Sequence, residues 1–416
     1  MYIGSELVGI SVTNKRIVVV VGVPRSGTSA ISRSLKALGA EFGNNLLEAH
    51  KDVNAKGFWE DKSVLDLNER ILKSLRISWS DIKPVNLSDF NSDELDSFKN
   101  EAKSLIASKM ESFSLFALKE PRITKLLCFW KLVFDELDLR VSYILTLRHP
   151  SDVLNSFQRQ ENVMVRSCDL IPQNIYLLWI SYLSSAIQLF DSNDRTVVVN
   201  YDSLLQNPRD NVLRIADLLN LEVDNSELNE YVDTFLSKTL NHSENCIKKL
   251  DGDVETVKIT QDLYDKLLTL SESNNDKEFS DYISKLRDIR ERFNLLSPAV
   301  ELVDVYRDIL NENIYKLNAL AKINIEKDSK IAAQEENIAS LNELNKKLTS
   351  LEEMNEKITS LEEENGKLLE DVKLNGELSR KLHEAESYIS TINNSVSMKI
   401  TLPFRVAKQF IKRMFG

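Results

Sequence analysis

The sequence has few of the residues that cross-link chains, bind metals or interrupt helices. Its 416 residues include only 3 cysteines, 4 histidines and 8 prolines. The cysteines, Cys128, Cys168 and Cys246, are widely spaced and form no CxxC pair. Neither a disulfide framework nor a zinc site is therefore predicted, and a reducing compartment is expected.

Long hydrophobic runs are also missing. The longest apolar run near the N-terminus, 17–23, is too short to span a bilayer and lacks the layout of a signal peptide. The net charge of −11 and the pI of about 5.2 argue against binding to nucleic acid over the whole surface. We expect a cytoplasmic protein that does not bind nucleic acid.

Glycine and tryptophan are concentrated in one part of the chain. Seven of the eleven glycines lie in the first 57 residues, and no tryptophan follows Trp179. A chain of this length exceeds the usual size of one hydrophobic core. The sequence therefore predicts an N-terminal globular domain and a mostly helical C-terminal third.

Four short apolar runs, three of them rich in β-branched residues, are typical of buried parallel strands. They are 16–23, 114–119, 141–147 and 196–201, and helical patterns lie between them. This alternation predicts an α/β fold with a doubly wound parallel sheet. In such a sheet the ligand site lies beyond the carboxyl ends of the strands.

The strand signals end near residue 245, and the rest of the chain changes character twice. We predict an α/β domain carrying the active site over 1–245 and a helical accessory region over 246–310, interrupted by Pro298. A long coiled coil over 311–393 and a basic amphipathic tail over 394–416 are predicted to follow.

Residues 338–377 contain four copies of a ten-residue unit. Three turns per ten residues is roughly 3.3 residues per turn, tighter than a heptad coiled coil, so each unit reads as a heptad plus a three-residue stammer. Asn345, Asn355, Asn365 and Asn375 recur near the seam, where they would fix register or partner number. We expect a coiled-coil homo-oligomer; a solvated single helix or flexible spacer is the alternative.

The last segment, 395–416, is basic and amphipathic. It contains no acidic residue and five basic ones, Lys399, Arg405, Lys408, Lys412 and Arg413. From Pro403 onward the apolar residues can share one side of a helix. The composition favours peripheral contact with anionic lipid, and a partner protein is the alternative.

The loop after the first strand, VGVPRSGTS at 21–29, keeps part of a phosphate-binding motif. In a Walker A loop, GxxxxGK[ST], backbone N–H groups and a lysine hold the phosphates. Here Gly22 and Gly27 keep the spacing, but Thr28 occupies the lysine position and the cation is Arg25. A guanidinium, hydroxyls and the N–H groups at a helix start are enough to bind a dianion.

A second cationic motif, LTLRHPSDVLNSF, follows the third strand at 145–157. Arg148 closes the strand, and Ser151 or Asp152 is expected to cap a helix that places Ser156 one to two turns in. An arginine and a serine so placed can converge on one phosphate. The alternative is an ordinary strand, turn and capped helix.

Together the two motifs resemble those of the sulfotransferase family. VGVPRSGTS is similar to that family's 5′-phosphosulfate loop, and Arg148 with Ser156 matches its 3′-phosphate motif in residue type, spacing and placement. Segments 200–221 and 117–130 are similar to further segments of the family, so the resemblance covers roughly residues 15–245.

The resemblance implies a P-loop-like fold and the donor 3′-phosphoadenylyl sulfate, or PAPS. It assigns the donor to Arg25, Ser26, Gly27, Thr28, Ser29, Arg148 and Ser156. A sulfuryl group carries less charge than a phosphoryl group, so its transfer needs stabilisation of the bridging oxygen more than a metal clamp. Arg25 and helix-start N–H groups can supply this stabilisation, and no metal and no covalent intermediate are expected.

The acceptor hydroxyl must lose its proton, so a general base is expected nearby. NAKGFWED resembles a stretch of bacterial carbohydrate sulfotransferases whose glutamate faces the acceptor, which makes Glu60 the first candidate. Phe58 and Trp59 would raise its pKa or stack on a sugar. Asp61 and His50 are the alternatives, and Glu60 could instead be a helix-start carboxylate favoured by the macrodipole.

Two further residues lie at predicted strand ends. Lys119 is expected at the edge of the site, where it would contact donor or acceptor. An ion pair with Glu120 or another acid is the alternative. His149 is expected to line the nucleotide phosphate or to pair locally.

The leading hypothesis is therefore a bacterial PAPS-dependent sulfotransferase acting on a carbohydrate or surface-polysaccharide precursor near the inner membrane. This tail resembles the coiled-coil tails that accompany bacterial surface-polysaccharide enzymes. Three alternatives stay open: sulfation of a protein tyrosine, a P-loop kinase or NTPase, and an inactive scaffold acting through its coiled coil.

Overall fold

A four-stranded parallel sheet organises the N-terminal part of the chain. Its strands are β1 (Arg16–Gly22), β2 (Leu115–Lys119), β3 (Arg140–Leu147) and β4 (Arg195–Asn200), in the order β2-β1-β3-β4. All four predicted strands are present, and the α/β prediction is confirmed. β1 is buried from its second residue onward because strands pair on both of its sides and helices cover the sheet.

The computed structural model describes residues 15–48, 57–159, 172–191, 194–236, 250, 254–272, 276–347, 356 and 358–387. These residues divide into two compact units, one ending at Asp304 and the other beginning at Val305. His50 and the basic tail at 394–416 lie outside the described residues. Within the described part, no helix is long and apolar enough to cross a membrane.

Thirteen α-helices up to residue 347 accompany the strands in the described residues. They are α1 (Thr28–Lys36), α2 (Lys62–Ser74), α3 (Ser92–Met110), α4 (Arg122–Lys125), α5 (Leu127–Glu136), α6 (Pro150–Gln158), α7 (Pro172–Ile187), α8 (Tyr201–Gln206), α9 (Pro208–Leu219), α10 (Asn225–Glu230), α11 (Val254–Glu272), α12 (Asp276–Leu295) and α13 (Ser297–Lys347). A further helix, α14, covers 358–387.

The helix α7 is apolar on all sides and almost wholly buried. The helices α11 and α12 pack against it, and α11 also packs against β4. The sequence predicted a helical accessory region here, and α11 buries Leu263, Leu267 and Leu270. Their spacing of four and three residues places them on one helix face, so α11 contributes to the same core as the sheet.

The break before α13 falls at the predicted proline. The helix α12 ends at Leu295, and α13 begins at Ser297 with Pro298 in its first turn, where a missing N–H costs nothing. Further along, the buried Asp304 accepts hydrogen bonds from the backbone N–H groups of Ile82 and Lys83, each at 2.8 Å. This carboxylate fixes the start of α13 to the segment after α2.

The second unit contains an antiparallel helical hairpin made by α13 and α14. Three polar contacts join the helices: Lys327 with Asp371 at 3.5 Å, Asn375 with Asp328 at 3.3 Å, and Gln334 with Glu364 at 2.7 Å. From Asp328 to Gln334 on α13, the partner residue moves back from Asn375 to Glu364 on α14. The pairing of these helices is therefore made within one chain.

The least exposed positions of both helices recur in alternating steps of three and four residues. On α13 they include Leu310, Ile314, Leu317, Ala321, Asn324 and Ile331, which we call the inner seam. On α14 they include Ile358, Leu361, Asn365, Leu368, Val372 and Asn375. Steps of three and four residues are the spacing of a helix–helix seam.

The repeat asparagines are consistent with this seam. Asn365 and Asn375 both lie on it because ten residues equal one heptad plus a step of three. Asn375 is buried and donates to Asp328, as expected of a polar residue that sets register. Asn355 and the side chain of Asn345 lie outside the described part.

Removing the Asp304 carboxylate should destabilise the first unit. Asp304→Ala leaves two buried N–H groups unpaired, so we expect the free energy of unfolding to fall by about 2–4 kcal/mol. Urea unfolding measures the loss. Glu301→Ala is the matched control, because its ion pair with Lys83 is half exposed and worth at most about 1 kcal/mol. Equal losses in the two variants would contradict this role of Asp304.

Candidate active site

The loop between β1 and α1 is held from two sides. The Thr124 hydroxyl accepts from the Gly22 N–H at 2.9 Å and donates to the Gly22 carbonyl at 3.1 Å. The Ser26 hydroxyl lies 2.6 Å from the Thr146 hydroxyl, which also donates to the Val21 carbonyl. The loop is therefore anchored to α4 on one side and to β3 on the other.

Gly27 caps the N-terminus of α1 in the left-handed region, with φ of 95°. A Cβ atom there would lie 2.1 Å from the Tyr201 ring. The residue must therefore be glycine for both conformation and space. Its position lets the ring of Tyr201, at the carboxyl end of β4, pack directly against the loop.

The structure brings the two predicted anion motifs together at Arg25. This residue also has a left-handed backbone, with φ of 73°. Its Nε donates to the Ser156 hydroxyl at 3.1 Å, and Arg148 Nη1 donates to the Arg25 carbonyl at 2.9 Å. Burial and the neighbouring Arg148 cation lower the pKa of Arg25 from its usual value.

Arg148 is held by two aromatic residues. Its guanidinium lies over the Tyr201 ring at 4.9 Å, and the Trp179 indole N–H donates to its carbonyl at 3.2 Å. Trp179 belongs to the buried helix α7, so this arginine is oriented by the core of the unit. Such contacts fix a cation without neutralising it.

The N-cap of α6 differs from the prediction. Ser151 or Asp152 was expected to cap this helix, but His149 is the N-cap: its Nδ1 accepts from the Ser151 N–H at 3.3 Å. Pro150 occupies the first helical position, so the cap lies two residues before Ser151. His149 is buried, and its ring edge contacts Tyr264 of α11, with the ring centroids 4.8 Å apart.

Lys119 connects the donor loop with the predicted base. Its ammonium donates to the Phe58 carbonyl at 2.9 Å, to the Ser29 hydroxyl at 3.4 Å and to the Glu60 carboxylate. The side chains of Lys119 and Glu60 are only 3% and 10% exposed. This buried ion pair agrees with the alternative in which Lys119 pairs with an acid, and the acid is Glu60.

The two adjacent carboxylates, Glu60 and Asp61, have different partners. Asp61 is the N-cap of α2: its Oδ1 accepts from the N–H groups of Ser63 and Val64, at 2.9 and 3.2 Å. Its other oxygen binds Lys109. Asp61 therefore has the helix-start role that the sequence left open for Glu60.

The two aromatic residues before Glu60, Phe58 and Trp59, also have different surroundings. Trp59 has a left-handed backbone, with φ of 60°, and its ring packs edge-on against Phe42 at 5.3 Å. Lys36 lies over the same ring. Phe58 is half buried and contributes its carbonyl to the Lys119 cluster. Trp59 thus packs on the core.

A second buried carboxylate follows Lys119 in the chain. Glu120 accepts from Asn68 at 2.5 Å and from Arg122 at 2.6 Å, and Asn68 in turn accepts from the Trp130 indole. Burial raises the pKa of Glu120, and the Glu60 charge adds to this rise while Arg122 opposes it. The network fixes the end of β2 from which Lys119 projects.

The groups of the loop fit a polyanionic donor. Residues 22–29 contain no acidic residue, and Arg25, the hydroxyls and the start of α1 all offer positive or hydrogen-donating groups. Arg148 and Ser156 extend this character beyond the loop. Among the described residues, no cluster of three or more His, Cys, Asp or Glu side chains could hold a metal ion.

Sequence reasoning missed several residues of the site. Tyr201 and Thr146 lie at or near strand ends, where the strand rule could have found them. Tyr264 comes from α11, and its hydroxyl accepts from Asn200 at 3.4 Å. Nothing in the sequence near Tyr264 indicates that it reaches a site built from other elements.

A family model described as "Sulfotransferase domain" matches residues 15–251. This is more than half of the chain, and the match contains β1 to β4 and every residue of the loop and of the Lys119 cluster. The protein belongs to the sulfotransferase family, so the predicted family is confirmed. The class of its reaction is sulfuryl transfer. No curated protein matches the sequence significantly.

Solved structures of three sulfotransferase-like proteins are similar over part of the chain. The sulfotransferase domain from the Synechococcus PCC 7002 olefin synthase is 18% identical, with a TM-score of 0.37, over 60% of this chain and 94% of that one. A sulfotransferase from Mycobacterium avium is 14% identical, with a TM-score of 0.32, over 59% and 75%. Retinol dehydratase in complex with androsterone and the inactive cofactor PAP is 13% identical, with a TM-score of 0.29, over 62% and 81%.

Adding one methyl group at Gly27 should disrupt the loop. Gly27→Ala strains the left-handed backbone, at about 1–2 kcal/mol, and also drives a Cβ into the Tyr201 ring. Gly39→Ala is the matched control, since Gly39 has φ of 74° but open space around its Cβ position. We expect a larger fall of the thermal midpoint for Gly27→Ala. Equal falls would show that the ring contact is unimportant.

Proposed function

We propose that this protein transfers a sulfuryl group from PAPS to a hydroxyl of a carbohydrate, such as a bacterial surface-polysaccharide precursor. Sulfotransferases of this family use PAPS, and the loop residues have the charge and donors that its 5′ end requires. When bound, PAPS supplies an activated sulfuryl group whose departure leaves negative charge on the bridging oxygen. We also propose a cytoplasmic location, in keeping with the few cysteines.

The donor is assigned to two groups of residues. Arg25, Ser26, Gly27, Thr28 and Ser29 would hold the phosphosulfate, with the N–H groups at the start of α1 directed at its oxygens. Arg148 and Ser156 would hold the 3′-phosphate. The Arg148 contact to the Arg25 carbonyl supports this pairing, because it joins the two groups into one continuous donor surface.

The single observation that carries the proposal is the position of Lys119. Its ammonium contacts Ser29, which belongs to the donor loop, and Glu60, which belongs to the segment assigned to the acceptor. A cation between donor and acceptor can stabilise charge on the leaving oxygen. Arg25 would share that task from the other side of the loop.

Glu60 is proposed as the general base. Its Oε1 accepts from Lys119, and we assign the acceptor proton to Oε2. In the transfer, the acceptor oxygen forms a bond to sulfur, the bond from sulfur to the bridging oxygen breaks, and the acceptor proton moves to Glu60. The carbohydrate class is proposed from the resemblance of NAKGFWED and from the position of Phe58.

Changing Arg148 should weaken binding of the donor product. Arg148→Lys keeps the charge but loses the planar guanidinium, which binds phosphate through two hydrogen bonds and stacks on Tyr201. We expect about 10–100-fold weaker binding of adenosine 3′,5′-bisphosphate by calorimetry. Arg209→Ala, an exposed arginine on α9, should leave the affinity unchanged.

Failure to bind adenosine 3′,5′-bisphosphate in the wild type would overturn PAPS as donor. Tight binding of ATP with magnesium in the same experiment would then favour the kinase or NTPase alternative. Equal affinity of wild type and Arg148→Lys would remove Arg148 from the site and leave the donor class standing.

Glu60→Gln should lower the rate of transfer without affecting donor binding. Loss of a general base costs about 10²–10⁴-fold in kcat. The assay follows labelled sulfate from PAPS to a panel of oligosaccharides, with calorimetry as the binding control. Asp61→Asn is the matched variant: asparagine is as good an N-cap as aspartate, so the start of α2 is kept, only the charge paired with Lys109 is lost, and turnover should be retained.

The opposite pattern would reassign the base. If Asp61→Asn loses turnover while Glu60→Gln keeps it, Asp61 is the base, and the role of Glu60 is limited to its ion pair with Lys119. If both keep turnover, His50→Gln tests the remaining candidate.

A further inference from the structure

The hairpin leaves a second row of apolar side chains exposed on α13. We call it the α13 stripe, and it consists of Tyr306, Ile309, Asn313, Lys316, Leu320 and Ile323. Its four apolar members are 37–49% exposed. The six positions step alternately by three and four residues, which is the spacing of a coiled-coil seam.

The α13 stripe lies beside the inner seam and is not covered by α14. From Ile309 onward, each stripe residue precedes an inner-seam residue by one position, as Ile309 precedes Leu310. One residue corresponds to roughly 100° around a helix, so the two rows occupy adjacent faces. A helix with two adjacent apolar faces is typical of a bundle and requires a further helix beyond its hairpin partner.

The order of residue types along the α13 stripe indicates which helix would cover it. Read in either direction, the stripe runs apolar, apolar, polar, polar, apolar, apolar. A surface with this symmetry is complementary to a second copy of itself rotated by a two-fold axis. We propose that the α13 stripe forms an antiparallel homodimer, with the two-fold axis passing between residues 314 and 315.

In this register every stripe residue meets a residue of the same kind. Tyr306 lies opposite the partner's Ile323, Ile309 opposite the partner's Leu320, and Asn313 opposite the partner's Lys316. The Asn313 amide oxygen can accept from that ammonium, which is already paired with Glu312 of its own helix at 2.7 Å. Asn313 and the partner's Lys316 lie at the centre of the interface, beside the two-fold axis, and apolar pairs lie on both sides of them.

A parallel pairing of the same stripe is less favourable. It would place each Lys316 opposite its own copy, so that two ammonium groups would meet at a core position. The antiparallel register separates these charges and keeps the apolar pairs. Charge therefore selects both the orientation and the register.

This dimer differs from the oligomer expected from the ten-residue repeat. The described part of the repeat on α14 directs its seam at α13 of the same chain, and the stripe lies outside the repeat. The proposal does not depend on the reaction that the first unit performs.

The test uses the full chain in solution. We expect a dimer by sedimentation equilibrium, and we expect Ile309→Glu with Leu320→Glu to raise the dimer dissociation constant at least about 100-fold. The matched control is Tyr315→Glu with Ile325→Glu, which changes two more exposed apolar residues of α13 outside the stripe and should leave the dimer intact. Circular dichroism of both variants checks that helicity is retained.

Disulfide cross-linking tests the orientation. In a chain whose three native cysteines are replaced by serine, Ile309→Cys combined with Leu320→Cys should cross-link two chains efficiently, and Ile309→Cys alone should not. A monomeric wild type at about 100 µM, or a control pair that dissociates as readily as the stripe pair, would overturn the dimer. Efficient cross-linking by Ile309→Cys alone would overturn the antiparallel arrangement.

Discussion

The ammonium of Lys119 is the group on which the site depends. It lies in the interior and binds three oxygens, from Ser29, Phe58 and Glu60, that belong to α1 and to the segment before α2. A buried ammonium without such partners would cost several kcal/mol. The end of β2, the loop between β1 and α1, and the Glu60 segment therefore hold one another in place.

Much of the fold and part of the site could be predicted because strand burial is visible in the sequence. The strands are apolar on both faces, and three of them are rich in β-branched residues. Arg25, Lys119 and Arg148 lie at or after strand ends, so their convergence at one edge was expected. The separate roles of Glu60 and Asp61 could not be predicted. They depend on the left-handed turn at Trp59, which directs one carboxylate to Lys119 and makes the next a helix cap.

The C-terminal helices show a second limit of sequence reasoning. A repeat specifies which residues are apolar, but it does not specify whether the seam pairs with another chain or with a neighbouring helix of the same chain. Here the pairing within one chain is shown only by contacts such as that of Asn375 with Asp328, 47 residues apart in the sequence, which join two antiparallel helices. Because α14 covers the inner seam, the apolar residues of α13 that stay exposed would need a partner other than α14. The proposed dimer supplies that partner.

Two neighbouring arginines, Arg25 and Arg148, carry the positive charge of the proposed donor surface. Arg25 is buried close to Arg148, and both burial and the neighbouring charge oppose its protonated form, which lowers its pKa. The Tyr201 face and the Arg25 carbonyl orient Arg148 but carry no full negative charge. An anion bound between the two guanidinium groups would reduce the repulsion that lowers the pKa of Arg25. A ligand with more than one negative charge, as the proposed donor has, would suit this pair of arginines.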